Sequence, residues 1–256
     1  MQLHFKEYGE GEPLIILHGL FGSLDNWHSL AKEFARDFRV FAVDQRNHGK
    51  SPNFDQHDYP SMVEDLRSFI EDQDLDSVSL IGHSMGGKTA MYFAIYYPEK
   101  VNKLIVADMG PEEYHSRHQE IIQAMEALPV EGITSRKEAD DFLAQYIDDF
   151  GIRQFLLKNL EKKRDGSYQW KVNLPVLVRD YSKILAAIPN GSPFHNPTLF
   201  LKGGKSGYLR DKDMPTISTM FPSSEIREIE DAGHWIHAEA PEAFYREVVE
   251  FLRHRS

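Results

Sequence analysis

One heptapeptide constrains this chain more than any other stretch: Ile81-Gly82-His83-Ser84-Met85-Gly86-Gly87. Val78-Ser79-Leu80-Ile81 leads into it as a short buried strand, and Lys88 to Ala94 follows as a helix start with an apolar face. A strand, a Gly-x-Ser-x-Gly turn and a helix together form a nucleophile elbow. The turn is so tight that side chains at the flanking positions would strike the strand or the helix. Gly82 and Gly86 remove them, which leaves the Ser84 hydroxyl standing above a sheet. The helix that follows aims its N-terminus at the same spot and favours a developing negative charge there. The plainer alternative is an ordinary βα turn with a capping serine.

The rest of the chain reads as strands alternating with helices. Leu3 and Phe5 alternate with polar neighbours, as in a half-exposed antiparallel strand. Leu14 to Leu17, Val40 to Val43 and Val101 to Ala107 are apolar runs suited to strands covered on both faces. Asn26 to Phe34 reads as a helix, and Ser61 as the cap of a helix that carries Met62, Leu66, Phe69 and Ile70 on one face. From Pro111 to His195 the pattern changes to helical stretches and loops without a convincing buried strand, with Lys162 to Ser167 as one loop. Thr198 to Leu201 and Glu225 to Ile229 resume the strands, and Pro241 to Arg253 is the terminal helix. This predicts an α/β fold with a mostly parallel central sheet flanked by helices. Residues 1–110 and 196–256 would form the core, and residues 111–195 a small inserted helical cap.

Composition narrows the class of function. The formal net charge of −11 argues against nucleic acid or an anionic membrane as the main partner. No apolar run reaches the roughly 18–20 residues that cross a bilayer, and the stretch Met1 to Glu7 lacks the long apolar region of a signal peptide. A cytoplasmic protein is expected, as a monomer or small homo-oligomer. The chain has no cysteine, which removes disulfides, thiolate metal sites and a cysteine nucleophile. No cofactor or metal is called for. His115-x-x-His118 has helical spacing, yet no carboxylate completes a metal site. Gly49-Lys50-Ser51 echoes a phosphate loop, but Asp44 stands where that loop needs its first glycine. Lys158, Lys162, Lys163 and Arg164 read as a solvated face.

A serine nucleophile needs an adjacent base. His234, in Asp231-Ala232-Gly233-His234-Trp235, follows the last strand, and loops at the carboxyl ends of parallel strands are where such sheets bind ligands. His237 is assigned to packing or surface. The acid that holds the imidazole in its working tautomer has two candidate places. After Leu201 the chain runs Gly203-Gly204-Lys205-Ser206, so a serine stands where an acid is expected, and Asp211 and Asp213 are out of register. Asp108 ends the preceding strand among apolar neighbours, where a lone carboxylate would be costly without a charged partner. Asp108 is therefore chosen, and Ser206 is an auxiliary donor to the same histidine or to Asp108. The order Ser84, Asp108, His234 is the serine–acid–histidine order of the elbow-bearing hydrolases. The oxyanion donors are the amide of Met85 and that of Leu20, with Phe21 as the near alternative, in the loop His18-Gly19-Leu20-Phe21-Gly22. Phe21, Trp27, Tyr114, Tyr208 and Trp235 are candidates to line an acyl pocket, although most suit an ordinary core equally well.

His18 to Asn26, Asp44-x-Arg46-Asn47-His48-Gly49-x-Ser51, Gly82 to Lys88 and Gly233-His234-Trp235 together resemble the α/β-hydrolase superfamily. More narrowly they resemble the small bacterial esterases of the YbfF type and the mitochondrial hydrolases with the abhydrolase-11 domain. The resemblance covers nearly the whole chain. The Asn-His-Gly loop and the Gly-Lys after the elbow are its more specific parts. It implies hydrolysis of carboxylic esters with short acyl chains, some thioester activity, Asp108 as the acid, and a role near the triad for Ser206. Three rivals use the same framework. They are an acyl-CoA thioesterase, a carbon–carbon hydrolase or perhydrolase, and a hydrolase-fold binding module without turnover.

Overall fold

The computed structural model describes residues 2–189 and 191–254, so Met1, Asn190, Arg255 and Ser256 lie outside the described residues. Its strands are β1 (Phe5–Tyr8), β2 (Glu12–Leu17), β3 (Phe38–Val43), β4 (Val78–His83), β5 (Val101–Ala107), β6 (Leu160–Lys162), β7 (Tyr168–Trp170), β8 (Thr198–Gly203) and β9 (Ser224–Ile229). Seven of them form one sheet in the order β1-β3-β2-β4-β5-β8-β9. Only β1 runs antiparallel within it, placing Phe5 opposite Val43. The other pairs are parallel, as in Leu17 opposite Gly82. The apolar runs are central because both faces of their strands are covered. Ile15 and Leu17 pack into one cluster with residues of α2 (Tyr59–Asp72) and α3 (Met85–Tyr96). Leu14 and Ile16 pack on the opposite face, against α1 (His28–Phe34) and a carboxyl-terminal helix, Pro241–Arg253, that buries Phe244 and Val248. Burial of each such side chain contributes about 1.5–3 kcal/mol.

Between β5 and β8 come α4 (Gln119–Ala127), α5 (Arg136–Leu143), α6 (Phe150–Leu157), the hairpin β6–β7, α7 (Leu174–Arg179) and α8 (Tyr181–Leu185). Their apolar residues Ile121, Met125, Leu143, Leu156 and Leu177 build a third cluster. That cluster also takes in Leu20, Phe21, Tyr59 and Met85 from the body, so the segment packs against the region around the elbow. The hairpin departs from the expectation of helices and loops alone. Leu160 faces Trp170 across two three-residue strands, and the Lys162–Ser167 loop contains their turn. Strands this short leave too few residues for an alternation to be read. The cap of α2 is a second correction: it is Asp58, whose carboxylate accepts from the Ser61 amide at 3.0 Å, with Ser61 inside the first turn. After β8 come α9 (Met214–Met220), then, after β9, α10 (Ile236–Glu239) and α11, the Pro241–Arg253 helix. No helix among the described residues is long and apolar enough to cross a membrane.

Candidate active site

The elbow carries backbone strain at its serine. Ser84 sits at φ 52° and ψ −117°, a region that non-glycine residues rarely occupy. The neighbours permit it. A Cβ on Gly82 would stand 2.3 Å from the Gly86 carbonyl oxygen, and one on Gly86 would stand 2.4 Å from that of Leu17. The turn therefore closes only with glycine at both places.

Three loops at the carboxyl ends of the strands converge on Ser84. The loop after β9 brings His234 Nε2 to 3.0 Å from Ser84 Oγ. The end of β5 brings Asp108 Oδ2 to 2.8 Å from His234 Nδ1. The loop after β8 supplies two more donors to the same carboxylate: the Gly203 amide donates to Oδ1 at 3.0 Å, and the Ser206 hydroxyl donates to Oδ2. The Tyr208 amide in turn donates to Ser206 Oγ at 3.2 Å. Asp108 is fully buried, and burial raises its carboxyl while Ser206 and Gly203 pull it back. Burial lowers His234, and the charges of His118 and Arg117 push the same way. At neutral pH the imidazole is thus an uncharged base, its Nδ1–H held by the carboxylate and its Nε2 lone pair facing the serine.

The loop after β2 separates the two oxyanion candidates. The Phe21 amide already donates to His48 Nε2 at 3.2 Å, so it is not free to receive an oxyanion. Among the described residues the Leu20 amide has no protein acceptor, and that of Met85 opens α3, where the first amides have no intrahelical partner. Leu20, Met85 and Ser84 line one small enclosed space with Tyr114 and Tyr208. Phe21, Ser84, His234 and Trp235 line a second space beside it. Trp27 is the correction. It is buried under the site, its ring stacked 4.2 Å from that of His237 and edge-on to Phe244, and it lines neither space. The residue stands at the N-cap of α1, and its indole joins the core cluster on that face of the sheet.

Several supporting contacts were not foreseen from the sequence, some of them made by residues that it had already marked for other reasons. His83, inside the elbow, donates from Nε2 to the His234 carbonyl at 2.8 Å. Glu239 accepts the amides of Gly233 at 2.7 Å and Trp235 at 3.1 Å, which clamps the histidine loop from both sides. The Tyr208 ring lies stacked 3.7 Å from the His234 ring. His48 orders the oxyanion loop through Phe21, and burial lowers its pKa to about 3, so it stays uncharged. Lys88, buried behind the elbow, donates to the carbonyls of Glu112 at 2.7 Å and Ala186 at 2.5 Å. Those carbonyls lie in the segment between β5 and β8, and burial brings the Lys88 ammonium down to about 7. A carboxylate five residues after the base was the one readable signal among these; the others are contacts between distant loops.

Among the described residues no cluster of histidines and carboxylates fits a metal ion. Gly49-Lys50-Ser51 serves the loop itself, with the Lys50 amide bonded to Asp44 at 2.9 Å and the Ser51 hydroxyl to the Asp44 carbonyl at 2.6 Å.

Comparison with known proteins adds four similarities. Residues 12–241 match the family model described as the alpha/beta hydrolase fold. The chain is 38% identical to an sn-1-specific diacylglycerol lipase of Danio rerio, over 97% of this chain and 81% of that one. It is 37% identical to the esterase YbfF of Escherichia coli, over 94% and 92% of the two chains. Among solved structures, a marine microorganism esterase superposes with a TM-score of 0.96 at 48% identity, covering 98% and 99% of the two chains.

Proposed function

The chain belongs to the α/β-hydrolase fold family, and on that footing we propose that it is a carboxylic ester hydrolase that carries the acyl group on Ser84. The observation that carries this reading is the unbroken relay from Ser84 Oγ to His234 Nε2 at 3.0 Å and from His234 Nδ1 to Asp108 at 2.8 Å. The esterase and lipase names of its relatives support it.

In the reaction Ser84 Oγ attacks the ester carbonyl carbon while His234 Nε2 takes its proton. The amides of Leu20 and Met85 receive the negative oxygen, each contributing roughly 3 kcal/mol to the transition state. His234 returns the proton to the alkoxide oxygen, and the alcohol departs. Water then attacks the acyl-serine by the same path, releasing the acid and restoring the serine. Asp108 stays ionised and stabilises the imidazolium, and Ser206 and Gly203 hold it in place.

The acyl group is short. The space lined by Ser84, Met85, Met109, Ile184 and Leu185 has a volume of about 20 Å³, room for one or two waters (about 10–15 Å³ each by this measure). Residues 111–195 act as a cap over this space, Tyr208 contributes to its wall, and Phe21 lines the second space beside His234. The test is hydrolysis of p-nitrophenyl acetate and its sulfur counterpart by wild type and Ser84→Ala. A wild-type burst absent from the variant supports acyl transfer at Ser84, and the oxygen-to-sulfur ratio places the enzyme as esterase or thioesterase. Equal release by both proteins would refute the reading.

A further inference from the structure

We propose that the cleft between α6 and the turn His237–Glu239 is the subsite for the alcohol portion of the substrate, and that it takes an uncharged, hydroxyl-rich alcohol. The inference rests on the ester-hydrolase reading and gives the substrate a direction across the site.

The leaving oxygen must lie within hydrogen-bond reach of His234 Nε2, because that nitrogen returns the proton. Of the two enclosed spaces at Ser84, His234 lines the one bounded by Phe155 and Trp235 and not the one lined by Met109 and Ile184. The alcohol therefore points toward Phe155 and Trp235, and the acyl group toward the methionines. The space on the alcohol side has a volume of only about 10 Å³. It ends at the Phe155 and Trp235 rings, whose centroids are 5.8 Å apart. The same two side chains also line a cleft of about 510 Å³. That volume falls in the range of roughly 300–1,000 Å³ usual for small-molecule sites. The two rings thus separate Ser84 from an adjoining space able to hold a sizeable group.

The cleft's chemistry selects the occupant. Asn26, Gln154, Lys158 and His237 line it alongside Ile152 and the two aromatic rings. The Nδ1 atom of His237 is buried without a hydrogen-bond partner among the described residues. Two carboxylates also border the cleft, and both are engaged: Asp149 caps α6 by accepting from the Ile152 amide at 3.0 Å, and Glu239 holds the histidine loop. One lysine against two carboxylates offers no field to draw a polyanion. Polar donors and acceptors set beside aromatic faces suit hydroxyl groups on a compact carbon frame.

The experiment compares ethyl acetate with 6-O-acetylglucose, and p-nitrophenyl acetate with p-nitrophenyl octanoate, on wild type, Gln154→Trp and Ile184→Phe. Circular dichroism and thermal midpoints show that each variant folds. Wild type is expected to favour 6-O-acetylglucose over ethyl acetate. Gln154→Trp, which fills the cleft, is expected to lower that preference by about tenfold or more while the acetate-to-octanoate ratio holds. Ile184→Phe, which fills the inner space, is expected to shift the acyl ratio and leave the alcohol ratio. The proposal is overturned if Gln154→Trp leaves the alcohol ratio unchanged, or if it shifts the acyl ratio instead, which would make the cleft the acyl route. If wild type releases acetate from none of these esters, the hydrolase reading itself fails, a result distinct from either.

Discussion

Replacing Asp108 with asparagine changes one atom and tests the whole hydrogen-bond arrangement. The carboxylate accepts three donors: the Gly203 amide on Oδ1, and the Ser206 hydroxyl and His234 Nδ1–H on Oδ2. An asparagine has one acceptor oxygen and one NH2 group. With its oxygen toward His234, the NH2 would face the Gly203 amide, leaving a buried donor unpaired at about 1–3 kcal/mol. With its oxygen toward Gly203, the NH2 serves both the Ser206 oxygen and an unprotonated His234 Nδ1, and only the hydroxyl hydrogen of the partly exposed Ser206 must turn to water. The second orientation wins, and it moves the histidine proton to Nε2, the atom that must take the proton of Ser84. The expected result is a fall in kcat of about 10³–10⁴, or roughly 4–5 kcal/mol at 1.36 kcal/mol per decade, with little change in KM. Thermal unfolding should move by only a few degrees, because the buried groups stay paired. Steady-state hydrolysis of p-nitrophenyl acetate beside a thermal melt measures both. Retention of a tenth or more of the wild-type kcat in a folded protein would refute the reasoning and place the acid elsewhere. Asp213, one of the two alternatives after β8, is bound to Arg210 at 2.9 and 3.1 Å.

Three further outcomes follow from the same geometry. Ser206→Ala removes one donor to a buried carboxylate and should lower kcat roughly 10–100-fold, read in the same assay, while Ser206→Thr restores most of it. Because burial lowers the His234 imidazole, it stays an uncharged base into mild acid, so the acid limb of kcat/KM should fall below the free-histidine value of about 6.5. Stability should fall on the acid side as well. His18, His48 and His83 are buried with pKa values lowered to about 4, 3 and 3. The unfolded chain binds protons that the folded one refuses, so their contribution is full above pH 6.5 and is lost progressively as pH falls from 6.5 toward those values. Three such groups give a slope of about 4 kcal/mol per pH unit near pH 5, measurable by denaturant titration at several pH values.

Sequence patterns reached the sheet and the elbow because both follow from local rules. Continuous apolar runs such as Leu14–Leu17 become central strands, and a Gly-x-Ser-x-Gly turn between strand and helix has essentially one geometry. Asp108 was also legible, since a carboxylate ending a buried strand needs a partner. What escaped depends on contacts between distant segments. Whether Leu20 or Phe21 offers a free amide is decided by His48, 27 residues beyond Phe21. Trp27 was assigned to the pocket on its aromatic character, and its stacking on His237 could not be foreseen from either residue's neighbours. The β6–β7 hairpin was hidden because two three-residue strands carry no periodicity.

The central claim is that an acyl group resides covalently on Ser84, and the most direct measurement is to catch it there. Wild-type protein mixed with excess p-nitrophenyl acetate, quenched in acid during turnover and digested, should show one acetyl group on the peptide containing Ser84, absent from Ser84→Ala. Turnover with no acetylated peptide, or with the acetyl group on another residue that Ser84→Ala retains, would contradict the account.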